Sequence, residues 1–255
     1  MFFRTAFGLT RHFSSTVFKA NFGVGSHTAP VRNAAQIASG ITILATQAPI
    51  AQGRVRQIWD RPGYPDQVLK TIQPGKRAKF AKRSRLRRAL DDIRFGPYRT
   101  FRIEYRYYAR TAFICLKAQR PNPIAEMGGL IATDQGLAQI CEKITDASGA
   151  LARTLKVLVA ANALDDQKLR WLNECIETLF VLNISVPDLS AENIVFDEVR
   201  QRCLVVDGYG DKAKIPFRTW IAYLNRAKLD FRISNKIAIP GRLEWDSQTR
   251  RFFLP

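Results

Sequence analysis

The stretch Ser185–Asp211, SVPDLSAENIVFDEVRQRCLVVDGYGD, decides how the rest of the chain is read. Asp188 and Asn193 stand five residues apart, and Asp207 ends an apolar run, Cys203-Leu204-Val205-Val206. One loop thus carries an aspartate and an amide, and the neighbouring strand delivers a second aspartate. Phosphoryl transfer needs such a set: one carboxylate to take the proton of the attacking hydroxyl, and oxygens from elsewhere to hold a hard cation against the phosphates. An Asp-Gly pair after a strand is also an ordinary turn signal, so the spacing gains its meaning from what surrounds it.

With 255 residues and 46% hydrophobic content, the chain can bury one sizeable core or two small lobes packed on each other. No run reaches the roughly 18 apolar residues of a transmembrane helix. The most apolar early stretch, Ile37–Ala51, is broken by Ser39, Thr42, Thr46, Gln47 and Pro49. Cys115, Cys141, Cys175 and Cys203 lie far apart beside apolar neighbours. That suits buried free thiols in a reducing cytoplasm, and neither a metal cage nor a disulfide framework. The only histidines, His12 and His27, lie in the first thirty residues, which excludes a catalytic or metal-binding histidine in the core.

The net charge of +18 is unevenly placed. No Asp or Glu occurs from Met1 to Trp59, and the first thirty residues mix Arg4, Arg11 and Lys19 with Ser, Thr, Phe and Gly. Residues 1–45 read as a basic, disordered N-terminal extension; a transit-like segment and an upstream start codon have the same composition. A second basic run, GKRAKFAKRSRLRRALDDIR (Gly75–Arg94), reads as a solvated loop inserted between strand and helix, with a polyanion contact through Lys76–Arg88 as the alternative.

Pro49–Ile72 reads as two or three short strands, with turns at Gly53 and at Pro62–Asp66. Alternation in the last strand sets Val68, Lys70 and Ile72 on one face. A helix over Tyr98–Ala112 follows Gly96-Pro97, with Phe101, Glu104, Tyr105 and Tyr108 as its packing stripe. Glu104 on that stripe needs a cation, and Lys70 on its strand face needs an anion, so the two are expected to pair. Strands follow at Gly129–Thr133 and Gly136–Ile144, then helices at Leu151–Ala163 and Gln167–Asn183, then the loop and hairpin of the opening stretch.

Strand lysine, helix glutamate, connecting strand, helix, Asp-Leu-x-x-x-Asn, hairpin and Asp-Gly is the order of parts in the protein-kinase-like fold. More narrowly, Arg54–Lys70, the string Arg94-Phe95-Gly96-Pro97-Tyr98-Arg99 leading into Glu104-Tyr105, Gly129–Ile144, and Asp207-Gly208-Tyr209-Gly210-Asp211 resemble the YrbL family of bacterial proteins named for a PhoP regulatory network. The likeness spans about Ala48–Pro216. It implies an α+β, minimal two-lobed kinase-like fold in a bacterial cytoplasm, with a β-rich N-lobe over 46–144 and a short helical C-lobe over 145–255. It also implies a site for ATP and Mg²⁺ between the lobes. Gly53 would lie in the phosphate-covering loop, and Val68 would cover the adenine. Lys70, braced by Glu104, would hold the α and β phosphates, with Glu142 opening the hinge. Asp188 would be the catalytic base, and Asn193 and Asp207 the metal ligands.

The chain departs from active protein kinases in several places. Ser185-Val186-Pro187 precedes Asp188 without a histidine, Ser190 stands where protein-serine kinases carry a lysine, and Gly53 is the only glycine of its loop. Only 44 residues follow Asp211, too few for a full protein-substrate platform. The reading is therefore a phosphotransferase acting on a small hydroxyl compound. A nucleotide-binding pseudokinase is the first competitor, and a polyanion binder working through the basic run is the second.

Overall fold

The structure, a computed structural model, describes residues 41–87, 95–209 and 222–255. The extension up to residue 40, the end of the basic run (88–94), and Gly210 and Asp211 of the Asp-Gly-Tyr-Gly-Asp string lie outside the described residues. The chain is α+β, with a five-stranded antiparallel sheet, two hairpins and six helices, one of them a short 3-10 turn, among the described residues.

The sheet contains β1 (Ala51–Gln52), β2 (Arg56–Arg61), β3 (Tyr64–Ile72), β4 (Met127–Thr133) and β5 (Gly136–Glu142), in the order β1-β2-β3-β5-β4. Partners in register point their side chains the same way, so the pairs Arg56–Ile72, Ile58–Lys70 and Val68–Cys141 line one face. Trp59, Leu69 and Ala138 bury the other face, and Leu44 caps it with no exposed surface. Leu44 and Ala45 each donate a backbone N–H to Asp134 at 2.8 Å, and Thr42 N–H donates to Ala132 O at 3.0 Å. The packed chain thus begins before the boundary at 45 expected from composition, because Ile41–Leu44 supply the apolar and backbone partners that this sheet face lacks.

Basic residues 75–94 are not simply a loop. Pro74 at the first turn opens α1 (Pro74–Ala81), a helix with no buried residue. After the 3-10 turn Gly96–Tyr98 comes α2 (Arg99–Lys117), which buries Phe101, Glu104, Thr111 and Cys115. Tyr105, expected on the packing stripe, is 43% exposed. The buried face runs through positions 101, 104, 111 and 115, and the 100° step carries Tyr105 past its edge.

The helical part holds α3 (Leu155–Ala160), α4 (Asp166–Val181) and α5 (Ala222–Lys236). Asp165 caps α4 by accepting Lys168 N–H at 2.7 Å, and α4 buries Leu172, Cys175, Ile176, Leu179 and Phe180. These pack in one core with the hairpin β6 (Ile194–Asp197) and β7 (Arg202–Val205) and with Phe252 of the C-terminal hairpin β8 (Glu244–Asp246) and β9 (Arg251–Phe253). All four cysteines are free and buried. Ala125 N–H donates to Val205 O at 3.1 Å and Val205 N–H to Pro123 O at 2.8 Å, so the segment entering β4 extends the β6–β7 ladder. This stitch holds the chain just ahead of Asp207 against the sheet.

Leu44→Ala is expected to destabilise the protein by about 2–5 kcal/mol, as for any fully buried leucine emptied to a cavity. Urea unfolding of the variant measures this, and a loss below about 0.5 kcal/mol would mean that the outer sheet face does not depend on the 41–46 segment.

Candidate functional site

The Asp188 loop and the strand end at Asp207 are joined by backbone. Asp188 N–H donates to Gly208 O at 2.9 Å and Val206 N–H to Asn193 O at 2.9 Å. The Asn193 side-chain amide donates to Asp188 O at 2.9 Å. Gly208 sits at φ +81°, and a Cβ there would lie 2.6 Å from Asp188 O and 2.9 Å from the Asn193 amide nitrogen. Glycine is therefore required both for the left-handed backbone and for the close approach of the two segments. The Asp188 side chain is 74% exposed, whereas Asp207 accepts its own Gly208 N–H at 2.7 Å.

Beneath Asp207 lies a cation that the sequence reading did not name. Arg56, on β2, forms an ion pair with Glu104 and reaches Asp207 Oδ1 at 3.2 Å. The Glu104 side chain is 1% exposed and that of Arg56 11%. Burial works against the guanidinium charge, but the Asp207 and Glu104 carboxylates together hold its pKa above the ordinary value. Burial pushes the Glu104 carboxyl up, and Arg56 opposes that rise.

The expected Lys70–Glu104 brace is not formed. Lys70, itself buried, donates Nζ to Val206 O at 2.6 Å and acts on Glu104 only through its charge. The register explains the exchange: Arg56 pairs with Ile72 and Ile58 with Lys70, so Arg56 shares the inner face with Lys70 and takes the glutamate. Glu104 Oε2 is buried with no hydrogen-bond partner.

Two adjoining cavities share a wall made by Gly53, Arg56, Glu192, Asn193 and Asp207. The smaller, about 300 Å³, is an apolar slot between Ile58, Val68, Cys141, Ile144, Val195 and Val206, with Lys70 and Glu142 at its edges. The larger, about 690 Å³, is a polar cleft holding Asp188, Arg54, Lys156, Arg232 and Lys236. The structure thus brings Gly53, Val68, Lys70, Glu142, Asp188, Asn193 and Asp207 around one composite cavity, and sets Glu104 behind Arg56. The Glu142 carboxylate itself is engaged elsewhere: it accepts from Arg202 at 2.6 Å, from Arg200, and from Glu126 N–H at 3.1 Å. It ties the end of β5 to the β6–β7 hairpin. Gly53 holds the β1–β2 turn, donating its N–H to Arg56 O at 2.9 Å.

Asn193 and Asp207 offer the hard oxygens that magnesium takes, and with its nitrogen given to Asp188 O, the Asn193 amide keeps its oxygen for a cation. The pair fits such an ion, with Arg56 competing for one Asp207 oxygen.

The model of the family described as PhoP regulatory network protein YrbL matches residues 42–238, well over half of the chain. The chain belongs to this family. No curated protein matches it. The match begins at the residues that cap the outer sheet face and ends just past α5, so it takes in every residue lining the two cavities except Ile239. Within it, Arg56, Arg232 and Lys236 are site residues that sequence reasoning missed. A period-2 count from Ile58 back to Arg56 was the available signal for the first; the α5 pair had none, because its approach to Asp188 is purely tertiary.

Glu104→Ala should cost about 3–5 kcal/mol in urea unfolding, because it leaves Arg56 buried with one carboxylate partner. A double-mutant cycle should give coupling of about 1 kcal/mol or more for Arg56–Glu104 and clearly less for Lys70–Glu104; equal couplings would mean that the lysine shares the pair. Gly208→Ala should destabilise by at least about 1–3 kcal/mol through strain at a positive φ, and a neutral effect would show that the two loops separate readily.

Proposed function

We propose that the protein is an ATP- and Mg²⁺-dependent phosphotransferase of protein-kinase-like architecture, acting on a small hydroxyl compound. The observation that carries this reading is the convergence of Asp188, Asn193 and Asp207 on a polar cleft that opens beside an apolar slot of about 300 Å³. On this reading the sheet with α2 is the N-lobe and the helical part the C-lobe, and the adenine lies in the slot against Val68, Cys141 and Val206. Glu142 serves by bracing the slot's edge. Lys70 faces the slot from the inner sheet face and steadies the chain entering Asp207 through Val206 O.

The acceptor hydroxyl oxygen attacks the γ-phosphorus. A new P–O bond forms as the bond to the β,γ-bridging oxygen breaks, the electron pair leaves with ADP, and Asp188 takes the hydroxyl proton. The exposure of the Asp188 carboxylate leaves it accessible to an acceptor. Magnesium on Asn193 and Asp207 would supply charge neutralisation at the phosphates. Arg56 holds Asp207 in place and offsets its charge.

One observation favours a second reading, a nucleotide-binding regulatory module without turnover: the Arg56 guanidinium already partners the Asp207 carboxylate that the metal would use. That reading also suits a family named for a regulatory network.

Thermal melting and ATP hydrolysis distinguish the two. Magnesium-ATP at a hundred times its dissociation constant should stabilise the protein by about 2.7 kcal/mol, a rise in Tm of roughly 5–10 °C. Asp207→Asn should remove the magnesium-dependent part of the rise. Asp188→Asn should keep the rise and abolish hydrolysis, since a base acts on the nucleophile and not on nucleotide binding. Wild-type hydrolysis equal to that of Asp188→Asn selects the regulatory module, and no rise with any nucleotide ends both readings.

A further inference from the structure

The larger cleft extends past Asp188 to a wall contributed by α5, where Arg232 and Lys236, one helical turn apart, face the same space. Arg232 is three-quarters buried, with its side chain 24% exposed. Its Nε is fully buried with no hydrogen-bond partner, and its terminal nitrogen stays 3.9 Å from Asp188 Oδ1, beyond hydrogen-bond reach. A guanidinium serving only as counter-ion to Asp188 would close that gap and form the paired, charge-assisted bonds its planar fork favours. Leaving donors desolvated and unmet is costly unless a ligand meets them. The other cleft cations differ: Lys156 is neutralised by Glu192 at 2.6 Å, and Arg56 is committed to Glu104 and Asp207. Arg54 stands exposed in the turn before β2.

Resting on the phosphotransferase reading above, we propose that the acceptor carries an oxyanion, a phosphate or carboxylate group, held by the Arg232 guanidinium and the Lys236 ammonium, with its hydroxyl presented to Asp188. The substrate class is then a small anionic alcohol rather than a neutral one.

The test uses the full chain without nucleotide. Modification of arginines by phenylglyoxal is followed by peptide mapping in inorganic phosphate, acetate or chloride at matched ionic strength. Phosphate or acetate should slow modification of Arg232 several-fold relative to chloride while changing Arg54 little, and the stronger of the two anions shows which group the acceptor carries. Lys236→Gln should weaken that protection by about tenfold, the loss of one charge-assisted contact, without lowering Tm. Protection by neither anion, equal protection at Arg54 and Arg232, or an unchanged protection constant in Lys236→Gln would each overturn the proposal. The magnesium-ATP melting rise is read in parallel on the same protein. Protection of Arg232 without that rise keeps the anion site and removes the nucleotide reading, whereas the rise without protection removes the anion site alone.

Discussion

A single buried guanidinium organises this protein. Arg56 enters from the second strand, pairs with Glu104 on the long helix and reaches Asp207 beyond the β6–β7 hairpin. Three segments remote in sequence are tied by one charge, and the arrangement persists because each member would be costly alone. A carboxylate as buried as Glu104 without a cation would protonate, and a guanidinium as buried as Arg56 without carboxylates would not remain inside. Glu104 shows the tension directly, since burial raises its pKa even with Arg56 beside it. Such pairs are weak evidence for stability but set geometry firmly, because the partners meet in few orientations.

The rest of the site follows from where this pair sets the hairpin. Lys70, left without the glutamate, hydrogen-bonds the carbonyl of Val206, so the sheet holds the same strand end by a second contact. Glycine at 208 then lets the backbone fold back against Asp188 and Asn193. Asp188 itself is held by its backbone while its side chain stays in solvent, which separates the rigidity of the loop from the availability of its carboxylate. Glu142, clamped by Arg200 and Arg202, fastens the far end of the slot to the same hairpin. The hairpin is thus held at both ends by ion pairs and along its length by the Pro123–Ala125 segment.

The charge of the chain acquires a finer meaning in three dimensions. A net +18 read as composition points to any polyanion, and the basic run after β3 is its densest expression. That run begins as a helix with nothing buried. The cations that line the larger cleft come from four separated places, the β1–β2 turn, β2, α3 and α5, and none belongs to a basic run. Local density of charge and concentration of charge at a site are different quantities.

Much was legible in the sequence. The strands around Gly53 and the Pro62–Asp66 turn, the helices after Gly96-Pro97 and before Asn183, and the hairpin after Asn193 rest on signals carried within a few residues: alternation, helical period and turn chemistry. The meeting of Asp188, Asn193 and Asp207 at one cavity was implied only by the likeness to the kinase-like order of parts. The choice between Lys70 and Arg56 as partner of Glu104 was not legible, because both lie on the same sheet face and only the register of β2 against β3 decides which one the helix meets. Leu44 likewise reads as part of a basic extension until the outer sheet face is seen to need it, and Arg232 reads as one surface cation among many until α5 sets it beside Asp188. Sequence by itself determined most of the elements between Gly53 and Val205 and the residue types that could do chemistry, since those depend on local periodicity, while α1, α5 and the C-terminal hairpin went unread. Which cation each carboxylate faces was decided only by the tertiary structure, because Coulomb partners and desolvation depend on distances that no spacing along the chain specifies.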